Sequence, residues 1–257
     1  TKTSLFGSHK RYISQLNKKG WQLTFEDNFD SLNRLKWRLG QPWGDFHDGQ
    51  PYQHYSPSNI KVQDGFLYLE GKYSPRELKF NDSIITIPYS VGLINSDISF
   101  MQKYGYFEIR CKNPHGPASW PAFWLTGAHH WPPEIDILEM YGKRTGKHVH
   151  RQISSIHYGI RGKGSRGTLV RKIWLPRDTD SSFHVYACQW TPKVIKFYTD
   201  GILVRKQRLN KRLQQWMDDE MVIIINNGFQ SEYLKYLPDD FKGNAFVVDW
   251  VRVYKAL

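Results

Sequence analysis

The chain has 257 residues, 40% of them hydrophobic and 15% aromatic, with a formal net charge of +12. That is enough apolar material to bury a large core in one all-β domain or two smaller ones, and no run approaches the ~18 consecutive apolar residues of a membrane helix. Two cysteines are too few for a disulfide framework, and neither has a C-x-x-C partner for zinc, so Cys111 and Cys188 read as buried free thiols.

The N-terminal stretch "TKTSLFGSHKRY" is polar and carries no apolar signal-peptide core. From there the chain reads as strand after strand. The segments "GFLYLEGKY" (65–73), "YGYFEIRCK" (104–112), "EIDILEM" (134–140), "QISSIHYGI" (152–160) and "FHVYACQW" (183–190) are short runs rich in β-branched and aromatic residues. "VIKFYTDGILV" (194–204) reads as a hairpin closed at Asp200-Gly201, and "MVIIINNG" (221–228) and "FVVDWVRVYKA" (246–256) complete the set. Turn formers at Asp64-Gly65, Asn113-Pro114 and Lys242-Gly243-Asn244 separate the runs. Helical periodicity is weak, with "LNKRLQQWMDD" (209–219) the best short helix. No linker, repeat or low-complexity tract divides residues 1–257, so one domain is expected, a β-sandwich or barrel.

The charge is unevenly spread. From Tyr141 to Arg177 there is no Asp or Glu, but ten Lys/Arg, which leaves 26 basic against 24 acidic residues elsewhere. Charge clustered in this way argues for an anionic partner.

The stretch "PPEIDILEMYG" holds three carboxylates, Glu134, Asp136 and Glu139, among apolar residues. Alternate residues of a strand share a face, so Glu134 and Asp136 point together and a regular strand sends Glu139 the other way. One extra residue inserted as a β-bulge near Ile137-Leu138 restores Glu139 to the face of the other two. Ile135 and one or both of Ile137 and Leu138 then fill the core behind. Such a trio suits retaining glycoside hydrolysis, which needs a carboxylate nucleophile and a protonated carboxylic acid ~5–5.5 Å apart. A third acid between them shares a proton and keeps the two pKa values apart. The plainer reading is a half-buried strand with its acids toward solvent.

The surroundings favour the first reading. Upstream stands "SWPAFWLTGAHHW", downstream "HYG" (157–159) and "DWVRVYK", and near the start "FEDNFDSLNRLKWR" and "SPSNIKVQDGFLYLEGK". Together these resemble glycoside hydrolase family 16, from about Trp21 to Tyr254 and in the family's order. The resemblance implies a concanavalin-like β-jelly-roll sandwich with a concave substrate cleft and an endo-acting, retaining enzyme. It implies Glu134 as nucleophile, Asp136 as helper acid and Glu139 as acid/base. Trp120, Trp124 and Trp131 fall where family members place aromatic sugar platforms, with core packing the alternative at each. His157 falls beside the acids, where a purely structural histidine is the alternative. Trp43, Gln50 and Gln53 stand as sugar contacts. Asn226 and Asn227 lie where relatives cross the cleft floor, with turn formation at a strand end the competing role. Some members bind calcium away from the cleft, for which Asp27 and Asp249 are possible ligands and strand-end hydrogen bonding the alternative. No cofactor is required.

The family cuts several β-linked polymers, and spacing does not choose among them. Arg144, Arg151, Arg161 and Arg166, with Lys147 and Lys163, are expected to rim the cleft and hold sulfate esters. A solvated basic face is the bland alternative. "GDFHDGQPYQHY" stands where glucan-cleaving relatives carry a Gly-Asn-Asn-Glu type stretch. The expected substrate is therefore a sulfated algal galactan, carrageenan- or porphyran-like, and anionic. An endo-β-1,3- or mixed-linkage glucanase is the alternative, and a non-catalytic carbohydrate-binding protein on the same fold is the rival from another class. No nucleic-acid module is visible. A monomer that is secreted, periplasmic or at the cell surface is expected.

Overall fold

Strand alternation builds this protein, and Val194–Thr199 shows it plainly, with every second side chain buried. The structure is a computed structural model that describes residues 17–46, 51–80, 82–142, 151–160, 163–175 and 178–257. In chain order its strands begin β1 (Trp21–Asp27), β2 (Arg38–Leu39), β3 (Gln53–Tyr55), β4 (Ile60–Gln63), β5 (Phe66–Phe80) and β6 (Ser83–Val91). They continue β7 (Leu93–Asn95), β8 (Gly105–Lys112), β9 (Ala122–Gly127), β10 (Glu134–Glu139), β11 (Arg151–Gly159) and β12 (Ser165–Trp174). The last are β13 (His184–Trp190), β14 (Val194–Thr199), β15 (Ile202–Arg208), then helix α1 (Lys211–Trp216), β16 (Met221–Asn226) and β17 (Gly243–Ala256).

Two sheets result. The back sheet runs β15-β14-β13-β8-β17-β5-β6-β3, with β1 on β17 and β4 on β5; the front sheet runs β12-β11-β10-β9-β16-β7-β2. The pairings are antiparallel apart from β3 on β6. Each segment expected to be a strand is one, and the hairpin closes where expected. Asp200 and Gly201 both have positive φ, 48° and 78°, as a tight primed turn requires. The short helix is α1, whose Asn210 side chain accepts from the Leu213 N–H at 2.9 Å.

The core lies between the sheets. Trp37, Phe107, Phe123, Tyr186, Trp190 and Phe197 are fully buried there. Cys111 and Cys188 are free and buried, and burial pushes both thiols up, away from the reactive thiolate. Among the described residues, one Lys or Arg side chain enters the core. From β15, the Arg205 guanidinium donates to the Ser154 carbonyl (2.6 Å), the Ser154 hydroxyl (2.9 Å) and the Leu169 carbonyl (2.9 Å) of the front sheet. It lies 5.0 Å from the Phe197 ring centre and ties the two sheets at one edge. No helix among the described residues is long and apolar enough to cross a membrane.

Strand β12 was not anticipated. "SRGTLVRKIW" reads as a basic loop, yet it forms the outer edge of the front sheet. An edge strand needs only one covered face, and here only Leu169 and Ile173 join the core, so the apolar signal is thin.

Candidate active site

The bulge is where the spacing puts it. Against β9, Glu134 faces Thr126, Asp136 faces Trp124, Leu138 faces Phe123 and Glu139 faces Ala122, which leaves Ile137 as the extra residue. Ile135, Ile137 and Leu138 are all buried in the core, so both of the bulge's apolar residues turn inward. The three acids share the other face, here the front face, with Trp124 beside them and Ser155 and His157 opposite on β11.

This geometry makes a sharp expectation. Deleting Ile137 alone leaves Glu134-x-Asp136-x-Glu139, a regular alternation that keeps every acid on the front face. Deleting both Ile137 and Leu138 sends Glu139 into the core. The single deletion should keep measurable hydrolysis while lowering stability by about 2–4 kcal/mol through lost packing. The double deletion should be inactive. Hydrolysis assays with thermal melts of the two variants check this.

Each outer glutamate holds an indole. Trp131 Nε1 donates to Glu134 Oε2 at 2.9 Å, and Trp120 Nε1 donates to Glu139 Oε1 at 2.9 Å. The Tyr141 hydroxyl also donates to Glu139 Oε1 (3.3 Å), and the Ser155 hydroxyl to Oε2 (3.4 Å). His157 Nε2 stands 3.1 Å from Asp136 Oδ2 and 3.3 Å from Glu134 Oε1, while its Nδ1 meets the Thr168 hydroxyl at 2.9 Å. Thr168 and the Glu139 partners Tyr141 and Ser155 escaped the sequence reading. Strand pairing was the signal for Ser155, which sits opposite Asp136, whereas Thr168, opposite His157, lies on the unanticipated β12.

Burial dominates the electrostatics. It pushes Glu134 up to about 8, helped by the neighbouring Asp136 charge and opposed by His157 and the Trp131 N–H. Asp136 rises well above the carboxylate range through burial and the Glu139 charge, although it hydrogen-bonds Ser155 and Glu134. Glu139 rises through burial, against the pull of Trp120, His157, Tyr141 and Ser155. Three buried carboxylates cannot all ionise together, so the trio retains protons at neutral pH. Such a site offers a nucleophile, a proton donor and a shared proton between them.

The remaining candidates divide. Trp124 lies on the front face, its Nε1 donating to Asn226 Oδ1 at 2.8 Å, so Asn226 positions an aromatic beside the acids. Trp43 is 55% exposed and Trp131 47%, so both rings are open to a ligand. Gln53 is a correction. It is buried and its Oε1 accepts the Phe229 N–H at 2.8 Å, which spends it on loop order rather than on a sugar. Asn227 is also structural, donating to Leu69 O and Asn244 Oδ1 and accepting from Gly228 N.

Of the cleft-rim cations, Arg144, Arg161, Lys147 and also Gln50 lie outside the described residues. Arg151 does reach the front face, paired with Trp174 and 5.8 Å from its ring. Trp174, 70% exposed, was missed with the rest of β12. Lys163 is exposed in the turn before β12. Arg166 is a second correction. A bulge between Tyr158 and Gly159 leaves it unpaired, and it lines a groove with Tyr158, whose side chain leaves β11 on the opposite face from His157.

Among the described residues, Glu134, Asp136 and His157 form the group whose donor atoms converge, each within 4.8 Å of the others, and all three are engaged as above. The calcium candidates do not fit. Asp27 accepts from Phe29 N and Trp37 Nε1, both at 2.8 Å, and Asp249 is paired with the Arg110 guanidinium. A carboxylate neutralised by arginine is a poor cation ligand.

Comparison with known proteins places this geometry. Residues 19–256 match the family model described as beta-porphyranase A-D, GH16 domain. The chain is 29% identical over 262 residues to a beta-glucanase of Rhodothermus marinus, covering 91% of this chain and 85% of that protein. It is 27% identical over 197 residues to a keratan-sulfate endo-1,4-beta-galactosidase of Sphingobacterium multivorum, covering 69% of this chain and 44% of that one. Among solved structures it resembles the catalytic domain of an endo-1,3-beta-glucanase (laminarinase) from Thermotoga petrophila, with a TM-score of 0.75, 25% identity, and 92% and 98% of the two chains covered.

Proposed function

The chain belongs to glycoside hydrolase family 16, and from that premise we propose that it is a retaining endo-glycosidase acting on a sulfated algal galactan of the carrageenan or porphyran kind. The bulge that turns Glu139 onto the face of Glu134 and Asp136 carries the reaction. Glu139 protonates the glycosidic oxygen as Glu134 attacks the anomeric carbon. The leaving chain departs with that proton, and the sugar is left as an ester on Glu134. Glu139, now a carboxylate, takes a proton from water, which attacks the same carbon and frees Glu134. Asp136, hydrogen-bonded to Glu134 and beside His157, holds the proton that Glu134 gives up before attack. Trp131 and Trp120 aim the two glutamates through their indole N–H groups and leave their rings to the sugar.

The substrate reading rests on the porphyranase-type match and on Arg151 and Trp174 at the front face. An arginine 5.8 Å from an exposed tryptophan ring offers an apolar surface and a sulfate-binding fork together. The glucanase relatives favour a second reading, a β-1,3- or mixed-linkage glucanase. Reducing-end assays against carrageenans, porphyran, agarose, laminarin and barley β-glucan separate the two. Cleavage of a sulfated galactan, reduced at least tenfold by desulfation, is expected. Cleavage of laminarin alone would sink the sulfate reading and leave the acid mechanism intact. A polysaccharide substrate is met outside the cytoplasm, which supports a secreted, periplasmic or cell-surface enzyme.

A further inference from the structure

Arg166 belongs to a second cluster of basic side chains, away from the acids. Two basic runs, far apart in sequence, meet at one edge of the sandwich. The acid-free window contributes Arg166 from β12, and the segment from Ile202 to Met217 contributes Arg205, Lys206, Arg208, Lys211 and Arg212 without one Asp or Glu. β12 closes one edge of the front sheet and β15 one edge of the back sheet, and α1 follows directly on β15. Between them runs a groove of about 1030 Å³ lined by Tyr158, Leu169 and Trp216 with Arg166, Arg208 and Arg212. Among the described residues, no acidic side chain lines it. Tyr158 and Trp216 stack at 5.4 Å with planes 10° apart, and the Arg212 guanidinium lies 4.7 Å from the Trp216 ring.

None of the three arginines has a carboxylate within 4.0 Å among the described residues. Buried Arg205, still charged with its pKa held near 10, adds a further positive charge beneath the same edge. Like charges gathered around one concavity repel one another, and an anion relieves them all at once. The groove lies on the other side of β11 from the acids, because Tyr158 and His157 are adjacent and leave the strand on opposite faces.

We propose that this groove is a second, non-catalytic binding site for a sulfated polysaccharide chain, holding the polymer while the front face cuts it. Guanidinium forks suit sulfate esters, and an extended groove with several arginines suits a linear polyanion better than a single small ion. Two contacts on one long chain raise the effective concentration of cleavable linkages at the acids. This inference rests on the sulfated-galactan reading for the identity of the chain, but not on the catalytic roles.

The test uses Arg208→Ala/Arg212→Ala, both exposed and remote from the acids, built in the active protein and in a Glu134→Gln background. Retention of the inactive form on an immobilised carrageenan or porphyran, against its desulfated counterpart, reads binding without cleavage. Hydrolysis of an oligosaccharide too short to reach the groove reads the acids alone. The expected result is about tenfold weaker retention on the sulfated polymer at low salt, a flatter salt dependence, and unchanged kcat/KM on the short substrate. Unchanged retention overturns the proposal, and so does an equal loss on the short substrate. Equal retention of single-stranded DNA, lost in the same variant, assigns the groove to nucleic acid and overturns it too. If the parent cleaves neutral glucan only, the substrate reading fails, while retention on the sulfated polymer still decides the groove.

Discussion

Glu134→Gln should lose about 10⁴-fold or more in kcat and, in the same protein, melt higher than the parent at pH 8. The first effect follows from removing the atom that attacks. The second follows from what that atom costs. Folding raises the Glu134 pKa from 4.5 to about 8, chiefly by burial and then by the Asp136 charge. The folded chain therefore holds this proton more tightly than the unfolded chain. The corresponding stability is whole below pH 4.5 and is lost as the pH climbs to about 8. Glutamine carries no charge to desolvate and suffers no such loss. The variant's advantage should be near zero at pH 4.5 and reach about 1–3 kcal/mol at pH 8, or about 2–4 °C in Tm per kcal/mol. Thermal melts of both proteins across that range check it. A variant that melts lower at pH 8 would show that the carboxylate stabilises the fold, contrary to the burial argument.

The second large effect belongs to Glu139. Glu139→Gln should lose about 10²–10⁴-fold on the natural polymer, where the leaving oxygen needs a proton. On an aryl glycoside whose phenolate leaves without help, the first step should recover and the glycosyl-enzyme should accumulate, since no base then activates water. Rapid-quench kinetics reads this as a burst followed by a slow steady state. The burst should be missing in Glu134→Gln. Equal loss on both substrates would make Glu139 a packing residue held by Trp120, Tyr141 and Ser155 rather than the acid/base.

The acid trio was legible because strand periodicity fails there in a definite way. Period two sends Glu139 to the wrong face, and one added residue repairs it, so the spacing alone locates the bulge. The eight strand segments were legible because their cores are dense in β-branched and aromatic residues. Other features resist a one-dimensional reading. Trp120 and Trp131 look like sugar platforms, yet their first contacts are hydrogen bonds to the glutamates, which only the fold brings together. Gln53 looks like a ligand residue until Phe229, 176 residues later, donates its N–H to it. Strand β12 hides because its exposed edge position relaxes the apolar pattern that marks a strand. Arg166 was placed at the cleft because a second bulge, next to a Gly-rich turn, leaves no mark in an already basic sequence. The fold divides the basic window between the front face at Arg151 and the groove at Arg166.

A retaining mechanism at this site requires a covalent bond between sugar and Glu134. A 2-deoxy-2-fluoro glycoside with a good leaving group, built on the disaccharide that the polymer screen identifies, slows the second step and lets the intermediate collect. Mass spectrometry of the digested protein should find one glycosyl unit, on the peptide containing Glu134, and none in Glu134→Gln. A label on Asp136 or Glu139, or no label while α-configured product forms, would contradict the mechanism.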